Sequence, residues 1–286
     1  MHAEPPIYPP MPPPIYRFAP SPNGELHLGH AFSALFAFHA AKRVGGTFLL
    51  RIEDIDTTRC RQRFADLILE DLAWLGLDWL KPVRFQSRHL ADYSQAQSRL
   101  AGQGLLYPCF CTRKSLEASS SAHRDPDGSP LYPGTCRALD SQARAERMAS
   151  GEPFHLRLDM ARAARHTAGL FFTDLGIGDV QAVPDKWGDV ILVRKDIGTS
   201  YHIAVVVDDA LQQITHVTRG RDLFEATHVH RLLQALLGLP VPLYHHHPLI
   251  NDALGRKLSK SAGDRSLRSL REEGASPADI RQALGF

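Results

Sequence analysis

Two periods of apolar residues alternate along most of the chain. Ile15 to Ala19 is a short apolar run, and Pro20 and Pro22 then forbid a helix, so it reads as a buried strand. Ala31 to Ala41 is apolar almost throughout and reads as a buried helix. Thr47 to Ile52 gives a second buried strand, and a helix runs from near Arg61 to about Leu75. Val83 to Gln86 is a further strand, and Leu90 to Gly102 has an amphipathic helical pattern. Strands alternating with helices predict an α/β fold with a doubly wound parallel sheet.

That pattern breaks after Leu106. A loop rich in Ser, Asp, Gly and Pro covers Ser119 to Pro130, Arg137 to Ser150 looks helical, and Phe154–Leu158 and Gly169–Leu175 alternate as strands. From Asp189 the α/β pattern returns: strand Val190–Arg194, helix Ser200–Leu211, strand Ile214–Thr218, helix Leu223–Leu237. The triplet His245-His246-His247 reads as strand rather than metal site, because adjacent strand side chains point to opposite faces. Two short helical stretches close the chain, and no tandem repeat is visible.

Composition narrows the class. With 286 residues, 43% hydrophobic and 22% charged, the chain can bury a full core and is ordinary for a soluble globular protein. A net charge of +2 means that any nucleic-acid surface must come from local clustering. No apolar run is long enough to span a membrane, and no basic-then-apolar leader is visible, so a cytoplasmic location without a membrane partner is expected. Four cysteines in such a chain predict a metal site in a reducing compartment rather than disulfides.

The candidate chemistry begins at Arg17-Phe18-Ala19-Pro20-Ser21-Pro22-Asn23-Gly24-Glu25-Leu26-His27-Leu28-Gly29-His30. A strand ends in a tight loop, Gly24 permits the turn, and the loop feeds a helix N-terminus. Bare amides and the helix dipole at that point make an anion site, and two imidazoles flanking Gly29 add donors. Glu53-Asp54-Ile55-Asp56 stands at the carboxyl end of the second strand, where ligands bind in open α/β sheets. Glu53 is the candidate for a ligand ammonium; Asp54 or Asp56 would serve the loop and cap the next helix. Near the other end lies Lys257-Leu258-Ser259-Lys260-Ser261. Cys109-Phe110-Cys111 puts two thiols in reach of one zinc ion and Cys136 adds a third. The fourth ligand that zinc wants would be Tyr132 or His123. Cys60 is isolated and reads as a packing or surface thiol.

Taken in this order, the two motif stretches resemble the HIGH and KMSKS motifs of class I aminoacyl-tRNA synthetases, with Leu28 and Leu258 as apolar replacements. The wording Arg-Phe-Ala-Pro-Ser-Pro-x-Gly-x-Leu-His-x-Gly-His is similar to the glutamyl branch, as is Thr199 to Asp209 through Thr218-Arg219-Gly220. The resemblance implies a Rossmann-type sheet with an inserted zinc-binding, acceptor-type subdomain and a short C-terminal helical segment carrying the lysine loop. The expected divisions are a Pro-rich extension 1–14, a first Rossmann half 15–106, the insertion 107–188, a second half 189–242, and the lysine loop with its helices 243–286. His27, His30, Lys257 and Lys260 are implied as catalytic, and His27, Gly29, His30 and Lys260 as ATP-binding, with Mg2+ accompanying ATP. Arg17, Phe18, Ala19, Pro20, Ser21, Glu53, Tyr201 and Arg219 are implied around L-glutamate. Arginine forks suit its two carboxylates. Shortened glutamyl synthetase-like proteins carry Cys-x-Cys followed by Tyr-x-x-x-Cys, which implies zinc on Cys109, Cys111, Tyr132 and Cys136.

Only about two dozen residues follow Ser261, too few to read an anticodon. The expectation is therefore the glutamyl-Q group of stand-alone catalytic relatives. These activate glutamate without tRNA and transfer it to queuosine in the anticodon of tRNA(Asp). ATP, L-glutamate and that tRNA are the expected partners of a monomer. The rivals are a minimal glutamyl-tRNA synthetase charging tRNA(Glu), a small-molecule nucleotidyltransferase sharing the His-x-Gly-His loop, and an inert RNA-binding paralogue.

Overall fold

The computed structural model describes residues 12–118, 123–165, 169–250 and 265–286. The lysine loop with Lys257 and Lys260, and most of the proline-rich extension, lie outside the described residues. The first elements are β1 (Ile15–Phe18), α1 (Leu28–Arg43), β2 (Thr47–Ile52), α2 (Gln62–Trp74), β3 (Leu80–Phe85) and α3 (Leu90–Gly102). The middle holds β4 (Leu106–Cys109), α4 (Arg113–Ala118), α5 (Ser141–Ala149), β5 (His155–Leu158), α6 (Met160–Arg165), β6 (Phe171–Asp174), β7 (Gly178–Gln181) and β8 (Ile191–Val193). The last are α7 (Tyr201–Leu211), β9 (His216–Gly220), α8 (Ala226–Leu237), β10 (Leu243–His247), α9 (Leu267–Glu272) and α10 (Pro277–Leu284).

The main sheet has the order β3-β2-β1-β9-β10-β6-β7, and every pairing but the last is parallel. β1 is buried on nearly its whole length because it lies centrally, between β2 and β9. The strand order reverses there, and a crevice opens at the carboxyl ends of β1 and β9, where α/β sheets take their ligands. On one face, residues of α1, α2, α9 and α10 bury Leu35, Phe38, Ile68, Leu72, Leu267 and Ile280 with Leu50 and Ile52 of β2. A second core joins α3, α7 and α8 through Tyr93, Leu100, Ile203, Val206, Val229 and Leu233. Every residue from Ile203 to Asp209 is buried, which is why α7 is apolar on all sides from Ile203 to Val207. Among the described residues, no helix is long and apolar enough to cross a membrane.

Two strands fall elsewhere than expected. Gly169–Leu175, expected in the insertion, contains β6, which runs parallel to β10 in the main sheet. Phe172 is buried with Val217 and Tyr244, and Leu175 N–H bonds the Tyr244 carbonyl at 2.7 Å. Val190–Arg194, expected to open the second Rossmann half, contains β8, which closes the antiparallel sheet β4-β5-β8. Leu192 buries into the α3–α7–α8 core from that small sheet. Helix limits shift as well. α5 starts at Ser141 because the Asp140 carboxylate accepts the Ala143 N–H at 2.7 Å. α2 starts at Gln62 with no side-chain cap, so neither Asp54 nor Asp56 caps it. Asp54 instead accepts the Ser87 amide and hydroxyl at 2.8 and 2.7 Å, and Asp56 binds Thr58 and Arg194.

Asp71 of α2 is wholly buried, and among the described residues neither carboxylate oxygen has a hydrogen-bond partner. Burial pushes its pKa up to about 6, against the pull of the Arg271 guanidinium. A folded pKa above the unfolded value means that stability falls as pH rises between the two. The wild-type chain is expected to lose up to about 3 kcal/mol from this group between about pH 4 and pH 7.5, and Asp71→Asn to lose none of it. Urea unfolding of both proteins at the two pH values checks this; parallel pH profiles would contradict it.

Candidate active site

The loop between β1 and α1 is shaped by its two histidines. His27 is the N-cap of α1; its Nδ1 accepts the Gly29 N–H at 3.1 Å. The His30 Nδ1 reaches back to the His27 N–H at 3.2 Å, closing a reciprocal cap, and the rings lie 3.8 Å apart. Each Nδ1 accepts, so each neutral ring carries its proton on Nε2. A Cβ at Gly29 would come within 3.0 Å of His27 Cε1, so glycine is what lets ring and backbone lie this close. The sequence suggested bare amides as the anion donors. The structure caps two backbone amides with imidazole instead, at Gly29 and His27. The segment after the lysine loop is fastened to this turn: Ser266 bridges His27, and Leu267 N–H bonds the Leu26 carbonyl at 2.7 Å. On the other side of the loop, the His247 ring lies 5.1 Å from Phe32 of α1.

Beneath the crevice lies a buried charge cluster. Arg17, 4% exposed, grips Asp209 of α7 with Nε at 3.0 Å and Nη2 at 3.2 Å. Arg51, wholly buried, donates to Asp209 at 2.8 Å and to Glu53 at 3.1 Å, and its Nε lies 3.7 Å from Asp208. Asp208 also receives Arg84 at 2.7 Å, Gln86 at 2.9 Å and the Tyr93 hydroxyl at 3.0 Å. Burial raises the Glu53 pKa, and the Arg51 and Arg17 charges offset only part of that rise. Glu53, Ser21, Ser200 and Tyr201 line a cavity of about 180 Å³. Pro20 is buried, and its carbonyl accepts the Glu53 N–H at 3.0 Å; Ala19 is half-buried, and Phe18 packs in the α1–α2 core.

Arg219, at the end of β9, is equally buried but differently surrounded. Its Nε lies 3.1 Å from His246 Nε2, Nη1 lies 3.2 Å from the Tyr201 hydroxyl and 3.3 Å from His230 Nδ1, and Nη2 lies 2.7 Å from Thr227 Oγ1. Among the described residues none of these partners is a carboxylate. Burial and the Arg219 charge together bring His202 and His246 to a pKa of about 4 and hold His230 well below the usual range. The surrounding rings are therefore neutral at neutral pH, and Arg219 is a buried cation whose first neighbours carry no charge.

The insertion gathers the expected thiols. Cys109, Cys111 and Cys136 Sγ atoms lie within 4.8 Å of one another. The Tyr132 oxygen is 4.0 Å from Cys111 Sγ and accepts the Cys136 N–H at 2.7 Å. His123 is exposed and is not one of this cluster. Burial pushes the Cys111 thiol up to about 11. Burial acts the same way on Cys136, but bonds from the Tyr132 hydroxyl and Phe110 N–H outweigh it and hold that thiol below its usual value. Three soft donors and a phenol oxygen converging on one point fit a tetrahedral zinc ion. Asp189 braces the subdomain: it receives Arg137 at 2.7 Å, the Met160 N–H at 2.9 Å and the Tyr107 hydroxyl.

Residues 15–285 match the family described as tRNA synthetases class I (E and Q), catalytic domain. The chain belongs to this family. It is a ligase of the class I aminoacyl-tRNA synthetase type. A glutamyl-Q tRNA(Asp) synthetase of Rhodobacter capsulatus is 46% identical over 95% of this chain and 100% of its own length. The glutamate–tRNA ligase of Aquifex aeolicus is 40% identical over 91% of this chain and 54% of its own. A glutamate–tRNA synthetase structure from Elizabethkingia anophelis superposes with a TM-score of 0.80 at 26% identity, covering 96% of this chain and 61% of that one. This chain thus spans about three fifths of that solved synthetase.

Within this synthetase fold, sequence reasoning missed Arg51, Asp174, Asp208, Asp209 and His246 as members of the site. One signal was available: Asp208-Asp209 directly follows the apolar run Ile203–Val207 in the same helix, and charges buried in such a place must be paired. Arg51→Met would leave Glu53, Asp208 and Asp209 facing two guanidinium groups instead of three. We expect it to cost about 3–5 kcal/mol of unfolding free energy, the usual result of removing one partner from buried ion pairs. Chemical denaturation measures this, and a loss below about 1 kcal/mol would rule out the cluster as a structural element.

Proposed function

We propose that this synthetase activates L-glutamate with ATP in the absence of RNA and then transfers the glutamyl group to queuosine in the anticodon of tRNA(Asp). The observation that carries the amino-acid half is Arg219. Its buried charge lacks a carboxylate among the described residues, and it stands beside the Tyr201 hydroxyl. A ligand side-chain carboxylate completes that site, and Glu53 in the adjoining cavity suits the ligand ammonium. Arg17 supports the pocket through Asp209 rather than by a free fork. The ligand α-carboxylate oxygen attacks the α-phosphorus of ATP, the bond to the bridging oxygen breaks, and pyrophosphate leaves with Mg2+. His27 and His30 donate from Nε2–H to the phosphate oxygens, and Lys257 and Lys260 neutralise the departing pyrophosphate. The bonds from Ser266 and Leu267 to the His27 turn support both motifs acting on one triphosphate. In the second step a hydroxyl of the queuosine diol attacks the glutamyl carbonyl and AMP leaves. The name and full-length match of the Rhodobacter capsulatus relative support the choice of acceptor. Zinc on Cys109, Cys111, Tyr132 and Cys136 would hold the insertion in shape.

A second reading, charging of tRNA(Glu), is favoured by the name of the Aquifex aeolicus relative. Glutamate-dependent ATP–pyrophosphate exchange without RNA tests the first step, and Lys260→Ala should slow it by about 10²–10³. Absence of exchange would support an inert paralogue. Labelled glutamate offered with queuosine-containing tRNA(Asp) and with tRNA(Glu) then decides the acceptor; label on tRNA(Glu) alone overturns the proposal. Elemental analysis of the purified protein should find about one zinc per chain, and Cys136→Ser should lose it. Full zinc occupancy in that variant would exclude this donor set.

A further inference from the structure

We propose that Asp174 and His246 form a positioning relay that orients the Arg219 guanidinium so that its remaining Nη2 proton meets the ligand. The inference rests on the reading of Arg219 as the carboxylate receiver, and neither relay residue needs to touch the substrate.

Hydrogen-bond logic determines where each proton sits. His246 Nδ1 lies 2.6 Å from Asp174 Oδ2, and both side chains are completely buried. An ionised carboxylate only accepts, so Nδ1 carries the proton. The other nitrogen, Nε2, lies 3.1 Å from Arg219 Nε, which only donates. His246 is thus a neutral ring in one tautomer, turned so that its single lone pair meets the guanidinium. A second ring repeats the pattern on the far side. His230 Nδ1 accepts from Arg219 Nη1 at 3.3 Å, which leaves the proton on Nε2, 3.2 Å from His202 Nδ1. Thr227 Oγ1 takes Nη2 at 2.7 Å and lies 3.1 Å from His246 Nε2. These contacts direct Nε, Nη1 and one Nη2 proton. Among the described residues the second Nη2 proton has no partner. The Tyr201 oxygen, by accepting from Arg219, turns its own proton elsewhere. A carboxylate can take both protons.

Asp174 is itself held by backbone. Its Oδ1 accepts the Gly176 N–H at 2.9 Å, and its Oδ2 also accepts the His246 N–H at 3.1 Å. These bonds come from the junction of β6 and β10, where Tyr244 pairs with Asp174. The direction of Arg219 therefore depends on β6 being part of the main sheet. The low proton affinities of Asp174 and His246 agree with this assignment, the first sustained against burial by the His246 bond.

Asp174→Asn tests the relay. The amide must turn its NH2 either toward His246 Nδ1 or toward the Gly176 N–H. In the first case the imidazole proton moves to Nε2, against Arg219 Nε–H. We expect the KM for glutamate in pyrophosphate exchange to rise at least tenfold with the KM for ATP unchanged. Equal changes in both constants, or none in the glutamate KM, overturn the proposal. The second readout needs no substrate. Nitrogen-15 histidine spectra of the wild-type protein, with His246 assigned by its loss in His246→Asn, should show a neutral ring protonated on Nδ1 at neutral pH. A proton on Nε2, or on both nitrogens, overturns the relay. Should the wild-type protein catalyse no glutamate-dependent exchange, the proposed function fails while the spectra still decide the tautomer.

Discussion

The grip of two guanidinium groups on Asp209 is the contact on which the architecture turns. Arg17 comes from β1, Arg51 from β2 and Asp209 from α7, so one carboxylate joins the first half of the sheet to a helix of the second. Glu53, Asp208 and Arg84 extend the cluster, in which three buried acids meet three bases, and half-buried Asp92 adds a fourth carboxylate on Arg84. Buried ion pairs rarely add net stability over apolar packing, because desolvation offsets most of the Coulomb gain. They do penalise any arrangement that separates the partners. Here that penalty holds the carboxyl ends of β1 and β2 and the last turn of α7 in one relation, and Glu53 is presented to the cavity from that platform.

With Arg17 committed to Asp209, Arg219 is a buried arginine with no carboxylate partner among the described residues. The contrast between the two arginines is one of environment, since both are buried. Arg17 meets an anion of the protein. Arg219 meets a phenol, a threonine hydroxyl and two imidazoles that burial, with its own charge, keeps neutral. A cation so placed stands in a setting where water screens little. At the His27 turn the Nδ1 atoms serve the backbone, which puts the ring protons on Nε2.

Local pattern made much of this legible. Thr47–Ile52 and Leu90–Gly102 coincide with β2 and α3, because an apolar run between turn signals and an amphipathic repeat are properties of the segment itself. Cys109, Cys111 and Cys136 converge, since Cys-x-Cys already brings two donors together, and Tyr132, which the resemblance implied, lies 4.0 Å from Cys111 Sγ. The triple histidine is strand, yet its middle residue carries a role that alternation alone does not reveal. Alternation says which face a side chain takes and is silent about what lies opposite.

By itself the sequence determined the succession of strands and helices, the turn that lets His27 and His30 cap α1, and the chemical identity of the donors. Tertiary structure alone decided that β6 belongs to the main sheet and β8 to the small one. It also decided that Arg17 turns to Asp209, 192 positions away, and that Asp174 sets the tautomer of His246, 72 positions away. The reason is physical. A helix or turn forms from bonds between near neighbours, whereas sheet order and the pairing of buried charges depend on which distant segments share a wall, and desolvation imposes that pairing only once the wall is closed.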